Sequence, residues 1–542
     1  MKRCATLFIA ALALSGAGLS AEDRGVGSPS HLSFDHATPR GGPAGWYAEG
    51  DAATALMNLQ PDPDGHGKEL SVRNSGDGPL ALYTLLPRDA ACGAELSMSV
   101  HARSEGETQI APVIFGLPSG APAIGKPTPV GAEPGRLAFA LALPGDCAVR
   151  PLYAGFLVFG SAIMDNVRFA HDGVVVESSV LSTPSTQDVE ALASVSSPAD
   201  LSRTTDTLGE ITGRRIVGLG ETSHGAASLF ALKAKIVKTL AQRGTLEVFA
   251  LEMPASAGDI VAEYVAGTMD DRDRAIRALV YPAWQTSEFM ALIDWLRAFN
   301  ETAERPVRFA GFDVQQPGIA LTRLGQVWSH DSELLNPLRA AFDQQSEPSA
   351  LLELTAPLRA LENLTDGERR YIRLFEAGLR MDNVDLGGRS RGFHMAQEAS
   401  RLIEDASDQV LLWADNTHVT RATGAMGSYL SHHWGDDYGA VGFTFVSGGY
   451  SAYGADRHYP AEPAYDGTHE HVLAASGLKE GLFALADLPA DHPILEPRGF
   501  RYIGSRPQLF GEFLPHELTT HFDAIGFAVK SEPTNFLLDP EF

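Results

Sequence analysis

The sequence predicts two bodies in series: an all-β, jelly-roll-like sandwich, then an α/β domain with a mostly parallel sheet and a helical insertion. Three observations predict it. From about residue 30 to 170, short segments alternate apolar and polar residues between Gly, Pro and Asp turns, as half-buried strands do. From about residue 215, compact apolar runs alternate with helix-period stretches, which argues for strand–helix–strand units. Between them, residues 178–205 are rich in Ser, Thr, Pro and Ala, the composition of a linker with a short helix.

Taken in order, the chain opens on an address. Lys2 and Arg3 precede an apolar run from Cys4 to Leu14, small residues follow to Ala21, and Glu22 and Asp23 close the run. This is the layout of a secretory signal peptide at 1–21, too short to span a bilayer, and it predicts a periplasmic or secreted protein. Residues 22–175 form the predicted sandwich, with strands at Glu69–Arg73, Glu95–His101 and Leu137–Leu141. Its ends, from Leu32 and Trp46 to Met164 and Val167, resemble those of carbohydrate-binding jelly rolls, which leaves glycan contact open beside a mere spacer role. Cys92 and Cys147 either pair in an oxidising compartment or stay as buried thiols. No cysteine follows residue 147, so a thiolate nucleophile in the larger domain is excluded.

A linker is predicted at 176–200 and the α/β domain at 201–542. Its strands are read at Arg215–Leu219, Val248–Leu251, Val307–Phe312, Val410–Trp413 and Gly439–Phe443, with helices at Leu229–Leu240 and from Ile260. Residues 332–408 read as a polar helical insertion or lid. No later stretch is long and apolar enough to cross a membrane. A net charge of −26 repels nucleic acid. No G-x-S-x-G elbow, P-loop or dinucleotide fingerprint appears in context. His432–His433 and His469–His471 are expected on solvated loops or helix ends.

The first four strands of this domain each run into acid or imidazole: Glu221 and His224 after the first, Glu252 after the second, Asp313 after the third, Asp415 and His418 after the fourth. In a parallel sheet these ends share one edge, where α/β proteins place their sites. Taken singly, each has a bland explanation: Glu221 as a helix N-terminal charge, Asp313 as a cap, His418 as a core histidine. Six at four strand ends are harder to explain as packing, because buried carboxylates are costly.

Gly218-Leu-Gly-Glu-Thr-Ser-His-Gly225 followed by a helix resembles the G-E-x-x-H-G signature of the erythromycin esterase family. Ala250–Glu252, Tyr264–Gly267, Trp295–Asn300, Phe309–Asp313, Trp413–His418, Met426–Gly427 and Val441–Phe445 follow in that family's order, over about residues 200–530. The resemblance implies ester or lactone hydrolysis without a metal cofactor. His224 would be the base that activates water, an imidazole near its ordinary pKa, with Glu221 and Glu252 also functional. Lys233, Asp415 and His418 complete the candidate catalytic set, and Asp313 and Arg391 are candidates for substrate contact. Three positions depart from the family: Lys233 stands for Arg, Asp415 for the first His of W-A-H-N-x-H, and Ser228 for Glu. Two other readings stay open: a metal-dependent hydrolase using the same histidines and carboxylates, and a non-catalytic glycan or cell-wall binder.

Overall fold

The computed structural model describes residues 32–538 apart from 33, 35–36, 51–54, 64–66, 87–92, 94, 105, 118–120, 144, 146–151, 172–173, 176–183, 455 and 509–510. The expected signal peptide, Cys92 and Cys147 lie outside the described residues.

Two antiparallel sheets make the N-terminal body. One orders strands Trp46–Glu49, Leu80–Leu85, Tyr153–Phe159, Gln109–Phe115 and Ala123–Ile124, with Thr128–Pro129 also on Gln109–Phe115. The other orders Ala55–Pro61, Lys68–Asn74, Ala162–His171, Glu95–Arg103 and Gly135–Ala142, with Val174–Val175 on Ala162–His171. Alternate side chains turn inward, so Leu70, Val72, Leu82, Met98, Phe156 and Phe169 share one core with Trp46.

The second body is built on a mixed, mostly parallel sheet. Its order is Arg308–Asp313, Leu246–Pro254, Gln409–Trp413, Ile216–Leu219, Tyr438–Ser451, Ala524–Ser531 and Glu480–Ala484. The first six run parallel and Glu480–Ala484 runs antiparallel to its neighbour. Helices cover the sheet, so its central strands are buried along their whole length and read as continuous apolar runs. Helix Ala227–Gln242 turns Leu229, Phe230, Leu232, Ile236, Val237 and Leu240 inward, and Lys233 falls in that same buried stripe.

The predicted insertion is helical, as its period implies. Helices Pro317–Val327, Ser332–Asp343, Pro348–Arg359, Asp366–Arg380 and Arg391–Asp405 stand between strands Arg308–Asp313 and Gln409–Trp413. The first four share a small core around Leu324, Leu338, Leu351 and Phe375. Helix Thr186–Val195 sits inside 176–200, and its Leu192 is fully buried in the α/β core. That apolar contact, with His492 Nε2 lying 3.0 Å from the Asp188 carbonyl oxygen, docks the helix onto the larger body.

Candidate active site

Sheet register brings the polar residues together. Leu219 and Leu251 both pair with Trp413, and Leu251 pairs with Gly311, so four strand ends lie level. Residues just beyond that row must share one edge. Glu221, His224, Glu252, Asp313, Asp415 and His418 do so, and Arg391 reaches them from the first residue of its helix.

Glu221 is the anchor. Its Oε1 accepts from His224 Nδ1 at 2.7 Å, and its Oε2 accepts from Lys233 Nζ at 2.5 Å and Trp413 Nε1 at 2.9 Å. Lys233 Nζ also lies 3.9 Å from the Trp413 ring centre, a cation–π contact. The Nδ1 bond fixes the ring of His224 and directs Nε2 away from Glu221. Trp284 meets that ring edge-on at 5.0 Å. The His224 side chain keeps 14% of its surface exposed, whereas Glu221 and Lys233 keep none, so the imidazole alone of these three meets solvent.

A second cluster adjoins the first. Glu252 Oε1 accepts from Arg391 Nη2 at 2.8 Å and lies 3.1 Å from His418 Nε2, while Oε2 accepts from the Asp415 backbone N–H at 2.9 Å. Arg391 also donates to Asp313 Oδ2 at 2.7 Å. Asp313, a candidate for substrate contact, is buried and accepts from Arg391 and the Val314 backbone N–H. Its role in this geometry is to hold the guanidinium. Asp415 Oδ1 accepts from Thr417 N and Oγ1, both at 2.8 Å, as a helix N-cap does. Its Oδ2 has no hydrogen-bond partner and lies 3.9 Å from His224 Nε2.

The electrostatics follow from this crowding. Burial alone would lower the His224 pKa, but the hydrogen bond to Glu221 and the charges of Glu221, Glu252 and Asp415 raise it to about 9. An imidazole near its ordinary value, as the sequence implied, is therefore corrected: several carboxylates converge on one ring. Burial lowers Lys233 to about 8 against the same carboxylates. Burial pushes Glu252 up, yet His418 and Arg391 hold it well below the carboxylate range. Burial also raises Asp415, aided by Glu252 and opposed by His224 and His418. Burial lowers His418, and the Glu252 charge outweighs it to leave the ring raised.

Of the donor atoms, His224 Nε2 and Asp415 Oδ2 face each other, while the oxygens of Glu252 and Asp313 are taken by Arg391 and backbone N–H groups. Among the described residues, no three or more His, Cys, Asp or Glu side chains group as a metal cage. His432 and His433 are exposed on helix Met426–Trp434, as expected of a helix end. His469 also stands at a helix end, the first residue of His469–Ala475, but is fully buried against Phe500. Sequence reasoning assigned no role to Trp284, Trp413 or Thr417. Trp413 lies inside a quoted motif and closes the strand that runs into Asp415. Trp284 acts only through tertiary contact, donating to the Glu252 carbonyl at 2.9 Å, and no local pattern marks it.

A family model described as erythromycin esterase matches residues 243–530, beginning after the turn that carries Glu221 and His224. The Escherichia coli protein erythromycin esterase type II is 28% identical over 162 residues, 29% of this chain and 38% of that protein. YbfO of Bacillus subtilis (strain 168), named as a hydrolase, is 28% identical over 137 residues, 25% of this chain and 29% of that one. The matched stretches thus span well under half of these relatives. A solved structure described as a succinoglycan biosynthesis protein superposes with a TM-score of 0.54 at 19% identity, over 65% of this chain and 98% of that chain, which shows a shared fold.

Proposed function

Because this chain belongs to the erythromycin esterase family, we propose that it is a hydrolase that cleaves a carboxylic ester or lactone at His224. One observation carries the reading: an imidazole pinned through Nδ1 by Glu221, with Nε2 turned to a partly open space. Such a ring can pass a proton to or from a water at the carbonyl carbon. Lys233 holds Glu221, and Glu221 holds the ring, so these two position the imidazole. Arg391, with 23% of its side chain exposed, is the cation available to a developing oxyanion beside Glu252.

The test is a panel of esters and lactones, followed by pH-stat, with wild type and His224→Asn. Wild type should hydrolyse at least one member, and the variant, still unfolding in one cooperative transition, should lose about a hundredfold or more in kcat/KM. A wild type inert on the panel, or a variant that matches it, defeats the proposal.

A further inference from the structure

Hydrolysis at neutral pH needs a group that can take a proton from water, and a role for Asp415, resting on the hydrolase reading, supplies one. Asp415 Oδ2 is a buried carboxylate oxygen that accepts no hydrogen bond, although Oδ1 of the same group accepts two from Thr417. Leaving such an atom bare is costly unless something else uses it. It lies 3.9 Å from His224 Nε2, too far for a direct hydrogen bond. Two hydrogen bonds of about 2.8 Å meeting at one oxygen bridge such a gap at an angle of about 90°. The gap therefore suits a water molecule, or the tetrahedral centre that water forms on attack. Outer atoms of both groups are already committed, Nδ1 to Glu221 and Oδ1 to Thr417, which aims the two inner atoms at one point.

We propose that Asp415 is a second catalytic residue, the base that takes the proton of the attacking water, while His224 serves as the acid for the leaving alcohol. In the first step the water oxygen bonds to the carbonyl carbon and its proton passes to Asp415 Oδ2. In the second, the carbon–oxygen bond to the alcohol breaks, and the departing oxygen takes the proton from His224 Nε2. The proton on Asp415 then returns to His224 through the next water, which restores both groups. Ester and water have become acid and alcohol.

The surrounding charges agree with this division. Groups facing Asp415 are His224 from the turn after Leu219, Lys233 from helix Ala227–Gln242, Glu252 from strand Leu246–Pro254, His418 from its own helix, and Tyr502 beyond strand Arg498–Arg501. Groups facing His224 are Glu221, Glu252 and Asp415, with Lys233 reached through Glu221. Three carboxylates keep the ring protonated through neutral pH, where an imidazolium can give a proton and cannot take one. Burial raises Asp415 towards the range where a carboxylate is a useful base.

The experiment uses the full chain, with ethyl butyrate and δ-valerolactone as probes, and Asp415→Asn, which keeps the N-cap acceptor. Wild type should turn over at pH 7, and D415N should lose about a hundredfold in kcat/KM there. The deficit should shrink as pH rises through the lowered His224 pKa of D415N, where the neutral ring can act as base. A loss of equal size at every pH, or no loss, overturns the role of Asp415 and leaves the hydrolase reading intact. Nitrogen-15 NMR of the His224 ring needs no substrate: it should report an imidazolium at pH 7 in wild type and a lower pKa in D415N. A neutral ring at pH 7 also overturns the role. A wild type inert on both probes and on the broader ester and lactone panel defeats the hydrolase reading, and the role of Asp415 with it.

Discussion

Glu221 shows how one buried carboxylate is made tolerable. It receives an ammonium, an indole N–H and an imidazole N–H, so its charge is met on every side. Removing one partner exposes the rest. Lys233→Met should destabilise the fold by about 3–5 kcal/mol, the usual cost of breaking a fully buried pair, as read by urea unfolding. Glu252 gives a different signature. Its folded pKa lies well below the ordinary 4.5, so its stabilisation is fully present above that value. It is then lost as pH falls towards the folded value. The wild type should lose unfolding free energy steadily below about pH 4.5, and Glu252→Gln should show a shallower fall over the same window. The residue types at the site were legible in the sequence because they sit at strand ends. Their protonation was not, since it depends on how many carboxylates meet at one ring, which spacing along a chain does not reveal.

At the scale of elements, the strands were legible where burial on both faces makes an unbroken apolar run, as in Val410–Trp413. Two boundaries were not. The fifth strand continues past Phe443 to Ser451, because it goes on pairing with Ala524–Ser531 as far as Gly448 and its last residues, from Gly449, pair with His458–Pro460. Glycine and serine there carry no strand signal. Helix Ala255–Val265 begins five residues before Ile260. Its opening residues are small because the helix lies against strand Arg308–Asp313: a Cβ on Gly258 would stand 2.4 Å from the Gly311 nitrogen. Close approach removes the large apolar side chains that would have announced the turn. The insertion was read as helical, yet nothing in its period shows that its last helix delivers Arg391 to Glu252 and Asp313. Arg391→Ala should cost about 3–5 kcal/mol by leaving two carboxylates facing each other. Arg391→Lys should recover only part of that, since lysine lacks the planar fork. Denaturant midpoints of the two variants compare them directly.

Across the whole molecule, the sandwich and the α/β body meet at a shared acid. Glu512 is buried; it accepts from Arg501 within its own domain and from Arg40 of the sandwich, the latter at 2.7 Å. Arg40 also donates to the Pro460 carbonyl. Arg40→Ala should leave the α/β body intact and loosen the junction, seen in calorimetry as separation of two unfolding transitions. Arg501→Ala should instead destabilise the α/β body itself, because it leaves buried Glu512 without its partner within that body and removes the charge that favours ionised Glu470.

Arg391 carries a consequence for how molecules enter. A roof that swings clear of a sheet would pull its guanidinium off two acids and strand them as bare charges in a dry place. The helical excursion between the third and fourth strands is therefore better regarded as a fixed wall than as a door. Traffic to the imidazole must pass along its flank, and grafting a foreign segment in its place would remove part of the machinery along with the enclosure.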